Sequence, residues 1–107
     1  MYRGNVYGRD ICMCGSPYAL LVFKREFGEN LPEIARHVQK RFAETEEIDV
    51  ISLLGMCWAM CKSYDDYNTP GFMQWYEDFG FENGEIPDDI SEAVIALDQI
   101  WSAVDQE

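Results

Sequence analysis

The sequence predicts a mostly α-helical single domain: about five helices around a central apolar helix, preceded by a short N-terminal β-hairpin or extended arm. Three observations predict it. Apolar residues recur at helical spacing over most of the chain. One segment, Val50–Cys61, is apolar on nearly every side, which is the mark of a helix buried by its neighbours. Proline follows a capping residue at Ser16-Pro17 and Thr69-Pro70, the place where a helix start tolerates it. With 107 residues, 48% of them hydrophobic and fifteen aromatic, the chain has material for one core and no room for a second. Residues 1–107 are therefore read as one domain, with 1–15 as the arm and 16–107 as the helical body.

The arm, Tyr2 to Cys14, is rich in β-formers. Gly4-Asn5 is the expected turn, and Ile11 and Met13 alternate with Cys12 and Cys14. The first helix runs from Pro17 to Phe27 and stops at Gly28, where a left-handed cap fits. The second opens at Asn30 and places Leu31, Ile34, Ala35, Val38 and Phe42 on one face. Glu33, Arg36, Lys40 and Arg41 occupy the other. Asp49 to Tyr64 is the apolar helix. Thr69-Pro70 starts the next, with Phe72, Trp75, Tyr76 and Phe79 as its stripe and Gly80 as its stop. Pro87-Asp88-Asp89 opens the last, with a seam of Ile90, Val94, Leu97, Trp101 and Val104.

Charge excludes whole classes of function. A net charge of −12 opposes binding to a phosphate backbone, so no nucleic-acid partner is expected. Neither long uncharged run, Ile11–Phe23 or Val50–Cys61, reaches the ~20 residues of a membrane span. The first leads into Lys24-Arg25-Glu26 rather than a small-residue cleavage site. No membrane partner and a cytoplasmic location are the expectations. The charge is also divided: residues 1–43 hold seven Lys/Arg and four Asp/Glu, a balance of +3. Residues 44–107 hold one and sixteen, a balance of −15. Such a division suits a solvated acidic half, and equally suits copies associating head to tail.

No catalytic constellation assembles, and no enzyme or cofactor is expected. His37, the single histidine, lies among Arg36, Lys40 and Arg41 on a polar helix face. A Gly-rich phosphate loop and a Ser-centred elbow are both missing from the sequence. Zinc would draw on Cys12, Cys14, Cys57 and Cys61, with His37 as a further candidate, but a Cys-x-Cys pair with an i, i+4 helical pair departs from knuckle spacing. The thiols read as core filler. Asp66, Asn68, Gly71 and Glu77 match four positions of a calcium loop, whereas Pro70 at the fifth position lacks a side-chain oxygen. Partner-binding candidates are the basic face, Arg36, Lys40 and Arg41, and two aromatics beyond the predicted stripe, Tyr64 and Tyr67.

Three segments carry a family resemblance. Ser16 to Gly28, SPYALLVFKREFG, resembles the PYALxxYxxEFG helix of tail assembly chaperones of long-tailed phages and prophages of Gram-positive hosts. Leu53 to Met60, LLGMCWAM, is similar to that family's LxxxWAM helix, and Phe72-Met73-Gln74-Trp75 resembles its sFxxW segment. The islands occur in the family's order and cover about half the chain, though the β segment is abbreviated and the Asp65–Thr69 connection short. The resemblance implies a helical adaptor in the host cytoplasm that binds the tape-measure protein and keeps it soluble while tube subunits polymerise around it. It also implies that this sequence would be the shorter of two products, the longer arising by frameshifting. Two other readings compete: an acidic inhibitor or DNA mimic that binds a basic host regulator, and a metal-binding regulatory module.

Overall fold

In the computed structural model, which describes residues 2–86, 94–95 and 97–100, the chain first reverses at Tyr7-Gly8. Strand β1 (Tyr2–Val6) pairs antiparallel with β2 (Arg9–Met13), with Val6 opposite Arg9 and Tyr2 opposite Met13. Both loop residues have positive φ, 52° and 81°. A two-residue turn of that hand matches the twist of the strands. The turn expected at Gly4-Asn5 is not there, because both residues lie inside β1. Asn5 acts on the turn from a distance: its Oδ1 accepts from the Gly8 N–H at 3.0 Å, and its Nδ2 donates to Asp10 Oδ1 at 3.0 Å. Ile11 and Met13 are buried while Cys12 and Cys14 are half-buried, the period-2 alternation of a strand with one face on a core.

Helix α1 (Pro17–Phe27) begins with proline and ends at Gly28, whose φ of 73° lets its N–H close on the Lys24 carbonyl at 2.8 Å. Ser16 makes no side-chain cap bond; its hydroxyl instead hydrogen-bonds that of Ser63, at the far end of a later helix. Helix α2 (Leu31–Thr45) is capped by Asn30, which accepts from the Glu33 N–H at 3.3 Å. Leu31, Ala35 and Val38 are buried, and Arg36, Lys40 and Arg41 face solvent.

Helix α3 (Val50–Tyr64) is capped by Asp49, whose carboxylate accepts from the Ser52 N–H (3.2 Å) and hydroxyl (2.8 Å). Every residue from Leu53 to Cys61 is buried. Four elements pack on it: β2, α1, α2 and α4 (Phe72–Glu77). Cross-links outside the apolar contacts include Cys14 N–H to the Met60 carbonyl at 3.0 Å, which holds the end of the hairpin to the helix.

Thr69-Pro70 does not start α4. Thr69 Oγ1 donates to the carbonyls of Asp65 (2.6 Å) and Cys61 (3.3 Å), and Pro70 offers its carbonyl to Trp58 Nε1 at 2.9 Å. Both residues thus satisfy the frayed end and the indole of α3, and the next helix is delayed to Phe72, with Gly71 as its cap. It ends at Glu77, so Phe79 lies beyond it, ahead of Gly80 at φ 70°. A 3₁₀ turn follows at Glu82–Gly84. Helical backbone returns at 94–95 and 97–100, where Leu97 and Ile100 are buried. Pro87-Asp88-Asp89, Ile90, Trp101 and Val104 of the predicted last helix lie outside the described residues.

The aromatic rings organise around Phe27, at the end of α1. It meets Trp58 edge-on at 6.0 Å between centroids and Phe72 edge-on at 5.1 Å, and Trp58 meets Phe72 at 5.8 Å. Such T-shaped contacts are favoured by the ring quadrupoles. Gly55 makes room for this: a Cβ there would stand 2.9 Å from Phe27 Cζ. Phe72 continues the cluster to Trp75 at 6.3 Å.

Candidate partner-binding surface

The sequence candidates fall on two separate surfaces. On α2, Arg36, Lys40 and Arg41 are exposed. Arg41 is committed locally, with Nη2 3.0 Å from Glu47 Oε2, just before the start of α3. Exposure of both partners limits that pair to a small contribution. His37, Val38 and Arg41 line a cleft of ≈ 270 Å³ together with Glu47, Ile48 and Asp49.

Tyr64 closes the other end of α3 and Tyr67 lies just past it. Fifteen residues at 1.5 Å rise make that helix about 20 Å long, so the Arg41–Glu47 pair and Tyr64 stand at opposite ends of it. The two candidate groups do not merge into one patch. Tyr64 is 45% exposed and Tyr67 95%.

The connection that carries Tyr67 is held by its own polar atoms. Asp65 accepts from the Asn68 N–H (3.2 Å) through one carboxylate oxygen and from Asn68 Nδ2 (2.9 Å) through the other. Its carbonyl accepts from the Thr69 N–H at 3.1 Å. Lys62 Nζ donates to the Thr69 carbonyl at 2.9 Å and sits 3.4 Å from Asp66 Oδ1.

Tyr18, whose role the sequence did not single out, reaches this connection from α1. Its hydroxyl donates to Asp66 Oδ1 at 2.9 Å. That bond holds the Asp66 carboxyl below its ordinary range, because it favours the charged form, and raises the Tyr18 phenol. Tyr18, Arg25, Glu26, Lys62 and Asp66 line a cleft of ≈ 420 Å³ between α1 and the connection. Its walls carry both signs of charge, a surface for polar contact rather than for a buried apolar ligand.

Arg9 is a second contact not read from the sequence. Its guanidinium lies 5.0 Å from the Trp75 ring centroid and 4.9 Å from that of Phe79, and Nη1 donates to the Trp75 carbonyl at 2.8 Å. It clasps the hairpin to α4. The only signal in the sequence was a basic residue in an arm otherwise poor in charge, and that pattern names no partner.

The metal alternatives find their candidate ligands occupied or dispersed. Asp66 is taken by Tyr18 and Lys62, and Asn68 turns to Asp65. None of the four cysteines is in a disulfide. Cys57 and Cys61 lie in the buried stretch of α3, and burial pushes the Cys57 thiol far up and that of Cys61 to about 12. Among the described residues no group of three or more His, Cys, Asp or Glu could hold a metal ion, and no helix is long and apolar enough to cross a membrane. Comparison with protein-family models, curated proteins and solved structures gives no match to the chain.

Proposed function

We propose that this chain is an adaptor of the tail-assembly-chaperone kind, which binds a phage tape-measure protein in the host cytoplasm and keeps it soluble during tail assembly. It works by contact, without catalysis or a cofactor, and α3 is the central helix that the rest of the fold is built around.

One observation carries the reading. The three segments that resemble the family start at Ser16, Leu53 and Phe72, 37 and 19 residues apart, yet their signature aromatics converge. Phe27 of the EFG end, Trp58 of WAM and Phe72 of FMQW pack against one another within 6.0 Å between centroids. Gly55, inside the second segment, leaves the space that the ring from the first one fills. Burial gathers apolar rings into any single core; that the three family-like segments each send their signature ring to the same point is in keeping with one fold signature. The surface is in keeping with the role. An adaptor present in excess benefits from strong net charge, and exposed aromatics on a fixed connection offer anchor points for a partner.

In this reading copies also associate with one another, the basic first part of one meeting the acidic remainder of the next, since a long partner needs repeated coverage. Co-expression tests the proposal. A tape-measure protein from the same phage genome should be recovered in the soluble fraction with this chain and sediment without it. Equal insolubility in both cultures refutes the adaptor reading.

A further inference from the structure

We infer that copies of this chain join through a knob and a socket: Tyr67 of one copy enters the apolar cleft between α1 and α2 of the next. This deepens the self-association named above, and rests on the adaptor reading for its purpose but not for its geometry.

The knob is a tyrosine 95% exposed on a short connection. That connection is not slack. Asp65 holds Asn68 and Thr69, Lys62 holds Thr69, and Tyr18 holds Asp66. An aromatic ring presented on an already ordered support loses little freedom on binding, which is what an interface anchor requires.

The socket is lined by Ala19, Leu20, Leu31, Pro32, Ala35 and Met60 and holds ≈ 160 Å³. An engineered apolar cavity of about 150 Å³ accepts benzene, so the cleft has the size for one six-membered ring. Its rim includes Leu20, which is 39% exposed.

Charge favours a second copy as the occupant. The socket's α2 wall continues directly into Arg36 and, one turn on, Lys40, both exposed. The knob lies in the part of the chain that carries −15, next to Asp65 and to Asp66, of which Asp66 is paired with Lys62. Bringing the two together sets opposite charges around an apolar centre. With a single knob-in-socket pair to each interface the contact is heterologous, which leaves each end of the assembly free to add another copy.

The test uses two variants of the full chain, Tyr67→Ser and Leu20→Glu, in sedimentation velocity at low salt. Both side chains reach solvent, and circular dichroism melts establish that each variant folds. The wild type should show concentration-dependent association that weakens as salt is raised. Each variant alone should lose association, with the dissociation constant raised at least about tenfold. A mixture of the two should recover a dimer and nothing larger, since one intact socket and one intact knob remain to meet. Association of Tyr67→Ser at wild-type strength, or a mixture that stays monomeric, overturns the contact. So does a wild type that is monomeric at high concentration, or one that forms a closed dimer indifferent to salt. If Tyr67→Ser associates normally but no longer captures the tape-measure protein, Tyr67 serves that partner instead; this inference then fails while the adaptor reading stands.

Discussion

Trp58 shows how much a single side chain can commit. Its ring is 3% exposed, its edge contacts reach Phe27 and Phe72, and its indole N–H is satisfied by the Pro70 carbonyl. Trp58→Ala should lower stability by about 3–5 kcal/mol, read as a shift in denaturant midpoint at unchanged slope; a midpoint equal to wild type would show that the ring is not packed as described. Gly55 presents a finer balance. Alanine there gains about 1 kcal/mol of helix propensity, but its Cβ would press on Phe27 at 2.9 Å, and overpacking of a filled core costs about 1–3 kcal/mol. Phe27 is half-buried, but it is held by Phe23, Trp58 and Phe72, so moving its ring aside would loosen those contacts. Gly55→Ala should therefore melt below wild type, and a raised melting temperature would mean that the ring moves aside. The Tyr18–Asp66 bond adds a pH window. A depressed carboxyl stabilises the fold above its unfolded pKa and ceases to as pH falls through the folded one. A raised phenol does so below its unfolded pKa and ceases to as pH rises through its own folded value. The contact thus acts across the neutral range.

At the scale of elements, the thiols give the sharpest prediction. Cys57 and Cys61 lie inside the buried run of α3 and are held protonated by burial, whereas Cys12, on β2, and Cys14, just after it, are half-buried. Since the thiolate is the reactive form, a native labelling time course should show Cys12 and Cys14 modified first and the α3 pair only on unfolding. Equal rates for all four would contradict the burial of α3. Helices α1, α2 and α3 were legible locally: α1 from Pro17 and Gly28, α2 from its apolar spacing and Asn30, and α3 from a run apolar on nearly every side. The start of α4 was not. Thr69-Pro70 has the local chemistry of a helix start, but Thr69 is drawn to the Cys61 and Asp65 carbonyls at the end of α3 and Pro70 to the Trp58 indole, bonds formed with residues 4, 8 and 12 positions back. The hairpin turn was misplaced for a related reason. Asn5 carries turn chemistry but spends it on Gly8 and Asp10, and a tyrosine at positive φ is not a residue that local preference would choose.

For the molecule as a whole, the candidate surface was half legible. Exposure of Arg36, Lys40 and Arg41 follows from the α2 face pattern, and Tyr67 stood out as an aromatic beyond the core stripe. What sequence could not supply was their separation along α3, the Tyr18–Asp66–Lys62 tie that fixes the connection, or the Arg9 clasp. All three depend on contacts between elements. Under the proposed function this chain coats a longer partner, and the stoichiometry of the complex tests that coating directly. A co-expressed complex with the tape-measure protein should be isolated and its mass read by size-exclusion chromatography with light scattering. A soluble complex with several copies of this chain on each tape-measure polypeptide is expected. A tape-measure protein that elutes alone, or that carries a single copy, would contradict it.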